Sequence, residues 1–214
     1  MNTPTLAYIL GETEDPYGDA PEEPRKANMS KWLRTGAFNE KDEYYTPPVL
    51  VSAILPYIKE GSRVWCPFDT SDSEFVHALS GKCDVIHSHI WDGADFFEYE
   101  PDKYDVVVSN PPFTRKLDVL SRLYILGKPF AMVLPLPMLN YQEVGSFFLG
   151  KELQLLIVDK KVSFDGNTAS FNNSFFCRGV LPRDLIFAHL EHNNSRKYFE
   201  PSRMLLATKG NTNA

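Results

Sequence analysis

The chain has 214 residues, of which 43% are hydrophobic and 23% charged, and a formal net charge of -6. That length suits one globular domain with a core able to fold unaided and leaves no room for a second full domain. The negative balance excludes indiscriminate capture of nucleic-acid phosphates by a basic surface, while a local basic patch stays compatible with it.

Residues 1–41 read as an N-terminal arm. The stretch from Gly11 to Asn28 is rich in acids and prolines and poor in core residues, so it is expected to be irregular, and Trp32, Leu33 and Phe38 are expected to cover a domain edge. No signal-peptide pattern opens the chain, and no stretch approaches the length needed to cross a bilayer. Three cysteines, Cys66, Cys83 and Cys177, make neither a disulfide framework nor a zinc spacing. Reduced thiols in a cytoplasmic protein follow as the expectation.

From residue 42 the elements alternate. Pro47 and Pro48 precede apolar residues at helical spacing from Val49 to Ile58, which predicts a proline-started helix ended before Gly61. Residues 63–68 predict a strand. Residues 72–80 predict a helix capped by Ser71 or Asp72 and closed by Gly81. Strands are expected over 83–90, 106–109 and 130–134, with a helix over 117–126 ended by Gly127. The remaining apolar segments, 153–158, 161–164, 174–177 and 185–190, are strand-like with little helix between them. Alternation of this kind implies parallel βαβ units, and the terminal segments imply an antiparallel hairpin at the end. The expected fold is therefore α/β, a doubly wound and mainly parallel seven-stranded sheet. Its domain is expected to span 42–200, followed by a tail over 201–214.

The chemistry concentrates at residues 105–113, Asp-Val-Val-Val-Ser-Asn-Pro-Pro-Phe. Three successive valines suit a strand covered on both faces. Pro111 and Pro112 then stop it, because they fix φ and carry no N–H. The Asn110 side-chain oxygen and the Pro111 carbonyl can each accept a hydrogen from a planar exocyclic amine, while Phe113 stacks on the attached ring. A simple strand-ending turn uses the same residues.

This segment resembles the catalytic motif of class I S-adenosylmethionine-dependent amino-methyltransferases, in particular the N6-adenine branch and its small phage-type members. The resemblance extends over roughly 42–190 and implies a Rossmann-like methyltransferase fold, S-adenosylmethionine as cofactor, and Asn110, Pro111, Pro112 and Phe113 as the catalytic turn. It assigns Tyr45 and Thr46, in Asp-Glu-Tyr-Tyr-Thr-Pro-Pro, to the sulfonium and methionyl end of the cofactor. Asp95 and Phe96 correspond to an Asp-Phe signature that holds the cofactor adenine, with a solvated Asp in a Gly turn as the alternative. Lys161 and Asn172 fall in segments resembling a closing hairpin beside the target base, where solvated loops are the alternative.

Departures from the family are also visible. An Asp-Pro-Phe-x-Gly-x-Gly loop is expected after the first strand, and this chain has Cys66-Pro67-Phe68-Asp69-Thr70-Ser71-Asp72-Ser73. Cys66, Phe68 and Asp69 thereby stand at cofactor positions without the glycines that allow close backbone approach. The second strand ends in His87-Ser88-His89 where an acid is expected. The two histidines suit a zinc pair, but no third ligand is identifiable, so no metal is assigned. Methyl transfer to adenine N6 in DNA or RNA is the leading expectation. A lapsed methyltransferase-like protein that binds a nucleic acid or a protein partner is the alternative, and glutamine methylation on a protein is a third.

Overall fold

The computed structural model describes residues 46–162, 164 and 172–190. The chain divides into units Met1–Lys41 and Asp42–Ala214, and every described residue belongs to the second. Seven strands form one sheet: β1 (Arg63–Cys66), β2 (Asp84–His87), β3 (Val106–Ser109), β4 (Phe130–Pro135), β5 (Gln154–Val158), β6 (Asn173–Arg178) and β7 (Leu185–Ala188). Their order is β2-β1-β3-β4-β6-β5-β7. β6 is the reversed strand, antiparallel to both neighbours, β4 and β5; all other pairings are parallel.

Alternation along the strands explains the two-sided core. Val64, Cys66, Val106, Val108, Ala131 and Val133 pack on one face with helices α1 (Pro48–Ile54) and α2 (Glu74–Ser80). Trp65, Val107, Phe130, Met132 and Leu134 pack on the other with helices α3 (Lys116–Leu126) and α4 (Gln142–Phe148). A period of two therefore divides the apolar residues of each strand between two helix layers, and the sheet is doubly wound as expected.

Several boundaries differ from the sequence reading. α2 is capped by Ser73, whose hydroxyl accepts the Phe75 N–H at 3.2 Å, rather than by Ser71 or Asp72. β2 stops at His87, because the His89 ring Nδ1 accepts the Trp91 N–H and starts a 3-10 turn over Ile90–Asp92. Lys161 and Val162 carry no strand. The strand expected last in a hairpin, β7, runs parallel to β5 at the sheet edge, and the antiparallel pair is β5–β6. α4 was not anticipated within 135–150, where only Val144 of the helix is fully buried.

Gly127 ends α3 with φ 70°, and its N–H reaches the Leu123 carbonyl at 3.2 Å. An added Cβ would meet only the Ile125 carbonyl oxygen at 4.0 Å. The barrier to substitution is thus conformational rather than steric. Gly127→Ala is expected to lower stability by about 1–2 kcal/mol, seen as a lower urea midpoint at unchanged slope.

Candidate functional site

The chain leaves β1 for β2 on one side and returns to β3 on the other. The carboxyl ends of β1 and β3 therefore flank a topological switch point, the place where open α/β sheets form a ligand crevice. Two loops meet there: Pro67–Ser73 after β1 and Asn110–Phe113 after β3.

The second loop behaves as its prolines dictate. Ser109 ends β3 and is fully buried. Asn110 and Pro112 are half-buried and Pro111 is buried. Pro112 is extended (φ -60°, ψ 124°), and its carbonyl accepts the Arg115 N–H at 3.2 Å, so a 3-10 turn over Phe113–Arg115 follows directly. Phe113 is half-buried and packs against the core on the α3 face. Next to it Arg115 lies over the Phe97 ring, 3.7 Å from its centroid, and pairs with Asp118 at 3.2 Å.

In the first loop the Asp69 side chain is buried rather than open to the crevice, with 7% of the residue exposed. One carboxylate oxygen accepts the Ser73 hydroxyl, and the other accepts the Ser109 hydroxyl at 2.5 Å. The Asp69 N–H donates to the Ser88 carbonyl at 3.3 Å, and the Ser88 N–H donates to the Cys66 carbonyl at 3.0 Å. Ser88 in turn accepts Trp65 Nε1–H on its hydroxyl at 2.9 Å. A buried carboxylate is tolerated only when hydrogen-bonded, and these donors supply that. The loop residues expected to interfere with a ligand instead tie the ends of β1, β2 and β3 together.

The other sequence-derived candidates fall into three groups. Tyr45 lies outside the described residues. Thr46 is 6% exposed just before α1. Cys66 is fully buried in the α1–α2 core, so its backbone, not its thiol, borders the crevice. Burial, with the negative charge of Asp69 second and Cys83 third, pushes that thiol well above its usual pKa. Phe68 is half-buried with its ring 4.8 Å from that of Phe96. Phe96 is itself 2% exposed and packed against Trp65 at 5.5 Å, so in this structure its ring is a core element. Asp95 accepts the Phe97 N–H at 2.9 Å, closing a local turn.

Lys161 follows β5 and Asn172 precedes β6, which places both on the same sheet edge as Asn110. Lys161 is exposed, and Asn172 is half-buried with its carbonyl accepting the Leu136 N–H at 2.9 Å. Asn173, which sequence reasoning passed over, is 3% exposed. Neither Asn172 Oδ1 nor Asn173 Oδ1 has a hydrogen-bond partner among the described residues. β6 lies two strands from β3, about 10 Å across the sheet at normal strand spacing. His87 is exposed while His89 is buried as a cap, and no cluster of three metal-ligating side chains occurs among the described residues.

A distinct cavity of about 450 Å³ opens at the opposite, amino edge of the sheet, lined by Arg63, Asp84, Glu100, Asp105 and Lys128 among others. Its walls are largely self-satisfied: Arg63 pairs with Asp84 at 2.7 Å, and the Arg63 N–H reaches the Asp105 carboxylate at 2.8 Å. It is remote from both loops at the switch point. No helix among the described residues is long and apolar enough to cross a membrane.

Of the three cysteines, Cys66 and Cys177 are buried and only Cys83 is partly accessible. Burial raises the pKa of each, which slows attack by the thiolate. At pH 8 a disulfide-exchange reagent is expected to modify Cys83 alone, slowly, in the native protein, and all three after denaturation.

No family model matches the chain, and no curated protein matches it. Solved structures similar to it include the methyltransferase subunit of a type I restriction-modification system from Streptococcus thermophilus, at 15% identity and a TM-score of 0.49, covering 78% of this chain and 53% of that one. Another is a modification subunit assigned to a type I restriction enzyme of Vibrio vulnificus, at 15% identity and a TM-score of 0.45, covering 88% and 57%. A third is a protein of Listeria monocytogenes assigned as a class I S-adenosylmethionine-dependent methyltransferase, at 14% identity and a TM-score of 0.46, covering 87% and 77%. The chain spans little more than half the length of the first two. The fold itself rests on the strand order and on the two helix layers.

Proposed function

We propose that this chain transfers a methyl group from S-adenosylmethionine to a planar exocyclic amine, with adenine N6 in DNA or RNA as the leading acceptor. The observation that carries the reading is the position of Asn110-Pro111-Pro112-Phe113 at the carboxyl end of β3, beside the switch point. An amide oxygen, a carbonyl in a donor-poor proline turn and an aromatic ring there provide two acceptors and a stacking surface within four residues. The two acceptors hold the amine hydrogens and draw the nitrogen lone pair out of conjugation, and Phe113 covers the ring of a base removed from its stack.

Phe68, half-buried in the loop after β1, and Thr46, just before α1, offer an aromatic face and a hydroxyl to the cofactor. Thr46 would meet the methionyl carboxylate, with Phe68 beside it, while Asp69 is held between the Ser73 and Ser109 hydroxyls and stays with the loop. When bound, the cofactor supplies an electrophilic methyl group on a sulfonium. The protein's own residues orient the amine and exclude water, and the amine proton leaves after attack, so no strong base is required.

A second reading, a methyltransferase-like protein that binds a partner without catalysis, is favoured by one observation: no glycine occurs between Pro67 and Ser73. Calorimetric titration with S-adenosylhomocysteine separates the two. Micromolar affinity supports the enzyme, and transfer of labelled methyl to DNA, RNA or a protein glutamine then identifies the acceptor. Absence of binding at millimolar ligand sinks the catalytic reading.

A further inference from the structure

We infer that Asp69 and Ser109 form a positioning pair for Asn110, an inference that rests on the methyl-transfer reading for its kinetic consequence but not for its structural one. Ser109 is the last residue of β3, fully buried, and is bonded covalently to Asn110. Its hydroxyl donates to Asp69 at 2.5 Å, across the gap between the ends of β1 and β3. The same carboxylate takes the Ser73 hydroxyl, which also caps α2 by accepting the Phe75 N–H. The Asp69 backbone is held in turn by the Ser88 carbonyl beyond β2.

Three strand ends and one helix start thus converge on Asp69, the end of β3 and the start of α2 through its carboxylate and the residue beyond β2 through its backbone N–H. The two register pairs between β1 and β3 are Val64 with Val106 and Trp65 with Val107, which leaves Ser109 beyond the paired residues on that side. On its other side Ser109 is paired with Met132 of β4. The hydroxyl–carboxylate contact connects the end of β3 to the first loop. Charge-assisted bonds of this type are shorter and stronger than neutral ones, and a site must hold its acceptors to within about 0.5 Å to be productive. A loop with glycines approaches a ligand through bare backbone; this loop instead uses a side-chain carboxylate to hold the residue next to the amine acceptor.

The test is Ser109→Ala, which removes the hydroxyl with little change of volume and leaves the Asp69 side chain in place. Selective ¹⁵N-asparagine labelling, with the Asn110 signal assigned by its loss in Asn110→Ala, reads the Asn110 side-chain amide directly. The expected result is a shifted or broadened Asn110 amide pair, with Asn173 unchanged. In steady-state transfer, kcat is expected to fall about tenfold, equivalent to about 1.4 kcal/mol of barrier, while the affinity for S-adenosylhomocysteine changes less than about twofold. Asp69→Asn, which keeps the size but loses the charge, is expected to move the same amide pair. An unmoved Asn110 signal in both folded variants overturns the positioning role, whatever the activity. If the wild-type protein transfers no methyl group, the proposed function fails, and the spectra still decide whether the pair holds Asn110.

Discussion

Asn110→Ala is expected to reduce methyl transfer by about two to three orders of magnitude while leaving the fold and the affinity for S-adenosylhomocysteine nearly unchanged. The magnitude is that found when one preorganised polar contact at a reacting centre is removed. The direction follows from where Asn110 stands. It comes after the last strand residue, is half-buried, and precedes two prolines whose geometry sets the turn independently of its side chain. Truncation therefore removes an acceptor from the amine without releasing the backbone. The cofactor contacts proposed for Thr46 and Phe68 involve other side chains, so binding of the demethylated cofactor should be insensitive. Single-turnover transfer and calorimetry on the same protein check both halves. A parallel loss of cofactor affinity would remove Asn110 from the amine and place it in the cofactor pocket instead.

Trp65→Ala is expected to lower stability by about 3–5 kcal/mol, a large share of the roughly 5–15 kcal/mol that holds a domain together. Trp65 is fully buried in the middle of β1. Its ring lies 5.2 Å from Tyr104, 5.5 Å from Phe96 and 6.2 Å from Tyr99, with the Tyr104 and Tyr99 contacts edge-on. Its indole N–H donates to the Ser88 hydroxyl, whose residue also takes the Asp69 N–H. Removing the ring opens a cavity between β1 and the aromatic residues of 96–104 and leaves a buried hydroxyl without its donor. Chemical denaturation at 25 °C measures the loss. Trp65→Phe, which fills most of the volume but lacks the N–H, is expected to recover more than half of it. Equal losses in the two variants would mean that the indole hydrogen bond, rather than packing, dominates.

The local grammar of the chain was legible in its residues. A proline pair predicted the start of α1, a run of valines predicted β3 as a strand covered on both faces, and Gly127 predicted the end of α3, because each of these features acts within a few residues. The strand-like character of 153–158, 174–177 and 185–190 was equally readable, whereas the strand expected from Lys161 is absent at Lys161 and Val162. The arrangement of these strands was not readable: β6 inserts antiparallel between β4 and β5, and β7 returns parallel to β5 at the edge. Strand order is set by which apolar faces meet across the sheet, and no local periodicity carries that information.

The candidate site divides along the same line. By itself the sequence determined the turn Asn110-Pro111-Pro112-Phe113 and the lack of glycine between residues 67 and 73, since both are matters of residue type and backbone freedom. Only the tertiary structure decided what Asp69 does. Forty residues separate it from Ser109, and the switch in strand order brings their side chains into contact, where burial makes a shared carboxylate the means of satisfying two hydroxyls. The same packing places Phe96 among the aromatic neighbours of Trp65, although its sequence context is equally compatible with a ligand-facing ring.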